Sequence, residues 1–189
     1  MKRTIIVLAA IAICMTGCSL GQKPDTYKAA LETEIIRLVG ADAKVTFNKV
    51  ERIDSTTFGQ EVDKRIQAFN TKLEQDTKLY EKYMADRMLT NAGKKKQAME
   101  IDGKMLAGLE KLRARIEEAD SLDVVAYYDY HFSGYAKCGG EETTFPDNYA
   151  SITPEGKVLS INDALKGLHN ALGKVIPGYK EALDEASDK

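Results

Sequence analysis

The chain has 189 residues, 27 Lys and Arg against 29 Asp and Glu, and a formal net charge of −2. This mildly acidic balance argues against nucleic acid as a partner and against general attraction to anionic lipid head groups. The length suffices for one domain with a sizeable core, since burial approaches two-thirds of the unfolded surface at about 150 residues.

Met1-Lys2-Arg3 is a short positive start, and Thr4 to Cys14 is a run of eleven apolar or near-apolar residues. That run suits the apolar region of a secretory signal, roughly 7–15 residues, and falls short of the ~20 of a membrane span. It ends in Met15-Thr16-Gly17-Cys18, followed by Ser19. These residues resemble the lipobox of bacterial lipoproteins, in which an apolar residue and two small ones precede a modified cysteine. The resemblance implies diacylglycerol on the Cys18 sulfur, cleavage after Gly17 and usually acylation of the new amino terminus. Residues 1–17 are then a signal peptide and 18–24 a lipidated tether. Small residues before the cut let the backbone enter a peptidase groove, and the thiol is the nucleophile that takes the lipid. Several acyl chains hold far better than one, so the mature chain is expected to stay on a membrane without spanning it. By the enteric sorting rule, Ser19 rather than Asp after the cysteine favours the outer membrane in a host that has one. Lys2 and Arg3 leave with the leader, which takes the formal net charge from −2 to −4. Cys14 leaves too, so Cys138 is the one thiol expected in the body, with no internal disulfide.

Residues 25–189 read as a single α+β domain. Tyr27, Leu31, Ile35, Leu38 and Val39 recur at helical spacing, with Gly40 to end the helix. Ala43 to Ile53 alternates through Val45 and Phe47, then slips phase at Val50, which predicts a strand with a bulge. Asp54 to Thr57 reads as a turn, and Thr57 with Gln60 resembles a capping box. Val62, Ile66, Phe69, Leu73, Tyr80, Tyr83 and Met84 then mark one face of a long helix, interrupted by Asp76 and Arg87. Asn91-Ala92-Gly93 is expected to break it. A second helix to Ala119 carries Met105, Leu109, Leu112 and Ile116 on one face, with Gly103 and Gly108 inviting a bend or close packing. The two predict an antiparallel helical hairpin over about 57–119.

The strand-rich part spans about 123–161. Four of the nine tyrosines fall between Tyr127 and Tyr135, a density of aromatic and β-branched neighbours that reads as strand. Cys138 to Glu142 reads as a loop. Asn148–Ile152 and Lys157–Ile161 flank the turn Thr153-Pro154-Glu155-Gly156. Helices are expected over about 162–186, the first capped by Asn162 or Ser160 and carrying Leu165, Leu168, Ala171 and Leu172.

The predicted fold is therefore α+β: a four-stranded antiparallel sheet packed on helices, with the long hairpin inserted between the first and second strands. One helix followed by four antiparallel strands resembles a cystatin-like sheet, a likeness of topology only. The ending SITPEGKVLSI is similar to that of small lipoproteins of gut-type bacteria. Neither likeness assigns an activity.

Local motifs of chemistry are missing from the sequence. His131 and His169 stand 38 positions apart, neither with a second ligand at zinc spacing. No phosphate loop, nucleophile elbow or calcium loop occurs. On an extended strand Cys138 and His131 would be about 23 Å apart. No catalytic residue, metal ligand or cofactor is thus expected. Gly93-Lys94-Lys95-Lys96-Gln97 reads as a solvated tip between two helices, or as a basic contact for lipid A phosphates or a polyanionic glycan. Along residues 124–135 one face, Val124, Ala126, Tyr128, Tyr130 and Phe132, is the more apolar and should pack on the first helix. The other, with Tyr127, Asp129, His131 and Tyr135, either lines a ligand groove or lies beneath the hairpin with Asp129 and His131 satisfying each other. The expected function is that of an exported lipoprotein, anchored through Cys18, acting as a non-enzymatic binding or envelope-assembly module on an envelope protein or glycan. The alternative is a cell-envelope hydrolase whose site is assembled from dispersed residues.

Overall fold

The computed structural model describes residues 24–169 and 172–187. The leader, Cys18 and the tether to Lys23 lie outside the described residues, as does Ala171 of the first predicted C-terminal helix.

Helix α1 (Pro24–Val39) starts at a proline and buries Tyr27, Leu31 and Ile35, one per turn of a single stripe. Strand β1 (Lys44–Thr57) follows, and its pairing with β2 (Val125–Cys138) shifts register between Phe47 and Lys49. The predicted bulge falls there, at Asn48. The expected turn at Asp54–Thr57 does not exist: β1 continues through these residues, with a second shift at Ile53. Asp54 and Ser55 stay exposed, and pairing with Asp129 and Tyr128 holds the segment extended.

Thr57 caps helix α2 (Phe58–Ala85) with both bonds of the predicted capping box: the Gln60 amide donates to Thr57 Oγ1 at 3.2 Å, and the Thr57 amide to Gln60 Oε1 at 2.9 Å. The break that follows lies at Asp86–Met88, ahead of the predicted Asn91–Gly93, which sits in the first turns of α3 (Leu89–Glu118). Arg87 takes a left-handed φ of 59°, its amide donates to Met84 O and that of Met88 to Tyr83 O. These are the two bonds of a Schellman motif. Helix α3 ends the same way on Asp120 (φ 52°), whose amide donates to Glu117 O while that of Ser121 donates to Ile116 O. Arginine and aspartate do this work where glycine is the ordinary choice, so the stops carry little sequence signal.

The sheet has the order β1-β2-β3-β4, every pair antiparallel, with β3 at Glu141–Ile152 and β4 at Val158–Asn162. The expected loop at Cys138–Glu142 shrinks to Gly139-Gly140, both at positive φ, and the strand expected to begin at Asn148 begins at Glu141. Gly134 is required by close approach: a Cβ there would fall 2.1 Å from Thr46 O. The first predicted C-terminal helix, from residue 162, is reduced to α4 (Leu165–Leu168) and a 3-10 turn (Leu172–Val175), and the last, carrying Tyr179 and Leu183, is α5 (Tyr179–Ser187). Neither expected cap serves α4. Asn162 Oδ1 accepts from the Ala164 amide, and Ser160 Oγ donates to Leu168 O.

Two cores result. Tyr130, Phe132, Ala136, Phe145, Ala150 and Ile152 pack on the α1 stripe. Val62, Leu109, Leu112 and Ile116 pack with Ile176 and Ala182 at the base of α2 and α3. Farther out, α2 and α3 pack on each other around two ion pairs, Lys72–Asp102 at 2.8 Å and Lys95–Asp76 at 2.6 Å. Asp76 and Asp102 are buried, and each has its Oδ2 without a hydrogen-bond partner among the described residues. Removing a cation from such a carboxylate is costly, whereas replacing the whole pair with apolar residues is not. Lys95→Ala should therefore lower stability by about 3 kcal/mol, and Asp76→Leu with Lys95→Met should recover that loss. Urea unfolding of the three proteins checks this.

Candidate functional site

The alternation of β2 places its aromatic residues on two faces. Tyr128, Tyr130 and Phe132 meet α1, as predicted for the apolar face, but Val124 is exposed and Ala126 packs with Tyr127, Phe58, Leu159 and Val175 instead. On the other face, the first turns of α2 and the segment after β4 cover one end of the strand.

Tyr127 and Asp129 lie under that cover, fully enclosed. The Tyr127 hydroxyl donates to Glu61 Oε2 at 2.9 Å. Arg65 donates to Glu61 Oε1 from Nε at 2.9 Å and from a terminal nitrogen at 2.7 Å, and that nitrogen also reaches His169 O at 2.8 Å. The His169 ring packs 5.5 Å from the Tyr127 ring, and its Nε2 lies 2.7 Å from Asp129 Oδ2. Ser151 Oγ donates to Asp129 Oδ1 at 2.5 Å. Burial pushes the Tyr127 phenol well above the ordinary tyrosine range, so it stays protonated and keeps donating.

The order of these groups limits their chemistry. Asp129 stands between Ser151 and His169, one on each oxygen, so the serine proton faces a carboxylate and not an imidazole. A nucleophile of the Ser-His-Asp kind needs the histidine beside the serine, and Ser151 is fully buried. The network acts as a clamp: α2 contributes Glu61 and Arg65, the sheet Tyr127, Asp129 and Ser151, and the C-terminal segment His169.

His131 and Tyr135 lie on the uncovered half of the same face. His131 Nε2 is 2.5 Å from Asp147 Oδ1, and its ring stacks on Tyr149 with centroids 5.2 Å apart. Glu51 sits opposite it in β1, and the Lys49 ammonium, hydrogen-bonded at 2.6 Å, holds that carboxyl below the usual range. Lys137 lies over the Tyr135 ring. The four residues that one of the two readings gathers in a groove are thus divided, with Tyr127 and Tyr135 about 26 Å apart along the strand. Asp129 and His131 do not satisfy each other either: Asp129 takes Ser151 and His169, and His131 takes Asp147. Cys138 is half-buried, half the strand away from His131, against Gly40. His169, which completes the clamp, has no signal in the sequence, since its partners are brought to it by the turn after β4.

The basic run sits differently from its predicted place. Lys95 is committed to Asp76, while Lys94 and Lys96 are exposed on the first turns of α3. A shallow cleft between α3 and α5 collects Lys104, Lys111 and Arg115 over Gly108 and Ala182, with Arg115 held by Glu185. Gly108 is buried at the floor of this cleft, whereas Gly103 faces open space.

Among the described residues no group of three or more His, Cys, Asp and Glu is placed to hold a metal ion, and no helix is long and apolar enough to cross a membrane. No protein-family model matches the chain, and no curated protein or solved structure matches it.

Proposed function

We propose that this protein is an exported lipoprotein, anchored through lipid on Cys18, that works as a non-enzymatic binding or envelope-assembly module. In this reading α2 and α3 form a long antiparallel helical hairpin, an arm inserted between the first two strands, and the sheet is its base. The observation that carries the reading is the form of that arm. Helices of 28 and 30 residues, roughly 42–45 Å long at 1.5 Å per residue, end in a stretch exposed at every position from Met84 to Thr90. The clamp at Tyr127 supports it as well, because its polar groups are spent on holding the arm to the sheet. In this reading the partner of the module is an envelope protein or glycan. With Ser19 after the lipidated cysteine, the outer membrane is the favoured site in a host that possesses one.

The anchor is tested by metabolic labelling with palmitate. The parent chain should take up label, and Cys18→Ser should take up none and stay at its unprocessed size. Label entering the variant as strongly as the parent, or absent from both, overturns the anchor.

A further inference from the structure

We propose that the tip of the α2–α3 arm docks on an anionic lipid bilayer, its apolar side chains entering the interface and its cations meeting the head groups. At the bend, Met84 is 46 % exposed, Met88 44 % and Leu89 67 %. These are three large apolar side chains within six residues. The Schellman bonds at Arg87 reverse the chain there, so the three exposed side chains gather at the turn between the two helices. A bilayer interface takes up exposed apolar side chains of this kind without a shaped pocket to receive them. Methionine suits such a surface because its unbranched thioether adapts to irregular neighbours.

Charge points to the same occupant. Residues 78–96 hold six cations and two acids, in a chain whose total formal charge is −2. The rest of the chain is therefore more acidic than the total suggests, and an excess of positive charge is gathered at one end. Lys82, Arg87, Lys94 and Lys96 are exposed and make no ion pair with other described residues. Cations flanking an apolar insertion are the pattern that holds an amphipathic element in the plane of an anionic membrane. Placement agrees too. Gly156, in the β3–β4 turn, lies beside Thr26, and Tyr27 meets Tyr128 edge-on near the start of β2. The amino-terminal end of α1 thus shares an end of the sheet with the root of the arm, so an arm lying along the bilayer carries its tip to the same surface. The inference draws on the anchored reading only for this nearness of a bilayer; docking by the tip does not require lipid on Cys18.

The chain contains no tryptophan, so Leu89→Trp in the full chain is a single reporter at the tip, with Leu38→Trp on exposed α1 as its control. In vesicles of equimolar phosphatidylglycerol and phosphatidylcholine, the indole at position 89 should shift its emission to the blue and be quenched by brominated acyl chains. The indole at position 38 should do neither. Adding Lys94→Gln and Lys96→Gln should weaken the response about 30-fold, and raising salt should weaken it further. An indole at position 89 left unquenched while the protein sediments with the vesicles overturns the inference and leaves the Cys18 anchor standing. Quenching without palmitate uptake would sustain the tip and remove the anchor. Equal quenching in pure phosphatidylcholine, or a response to envelope protein in place of lipid, overturns the anionic bilayer as the occupant.

Discussion

Tyr127→Ala should lower stability by about 4–6 kcal/mol, and Tyr127→Phe by about 1–3 kcal/mol. The ring is fully buried between β2, α2 and the 3-10 turn, so its removal leaves a cavity of aromatic size. Truncation also removes the donor to Glu61 Oε2, a buried carboxylate then left with Arg65 on one oxygen only. Phenylalanine keeps the packing and loses the hydrogen bond alone, so the difference between the two variants measures the ring and the remainder measures the bond. His169→Ala should cost less than Tyr127→Ala, because its ring is partly exposed and Asp129 keeps Ser151. Guanidinium unfolding of the three variants decides it. A Tyr127→Ala midpoint equal to that of the parent would mean that this ring is not enclosed, and would restore the idea of an open groove reaching it.

Leu109→Asp should abolish cooperative folding or cost more than about 4 kcal/mol, while Leu73→Asp should cost about 1 kcal/mol. Both leucines fall on the predicted stripes of the two helices, and the stripes alone do not separate them. Leu109 is completely buried among Val62, Leu112, Ile116 and Ile176, apolar surroundings that do not solvate an introduced carboxylate. Leu73 is only half-buried, at the rim of the outer arm beside exposed Asn70 and Glu74. Thermal melts of the two variants give the ranking. Equal losses would mean that the outer arm is covered by something as continuous as the core at its base.

The contrast between these leucines shows how far the sequence reaches. Local signals are enough wherever the physics is local. The α1 stripe of Tyr27, Leu31 and Ile35, the capping box of Thr57 and Gln60, the phase slip beyond Phe47 and the Pro-Gly turn at 153–156 each concern residues a few positions apart. Together they determine an α+β chain with a four-stranded antiparallel sheet and two long helices between its first strands. Helix stops at Arg87 and Asp120 are not legible, because a left-handed residue without glycine is held there by the carbonyls that the turn bonds, and by nothing in its own preference. The strand segments at Asp54–Thr57 and Glu141–Asp147 are hidden for a related reason. Their polar residues favour turns in isolation, and pairing with β2 overrides that preference.

The clamp lies beyond the sequence altogether. Alternation puts Tyr127 and Asp129 on one face of β2, and leaves open whether water or protein covers them. That is decided by Glu61, 66 positions from Tyr127, and by His169, 40 positions from Asp129. Buried polar groups must find hydrogen-bond partners, but the rule does not say which ones. Only the docking of α2 and of the C-terminal segment against the sheet brings these within reach. The same holds for the charge at the arm's tip: composition averages it away, and the bend at Arg87 collects it.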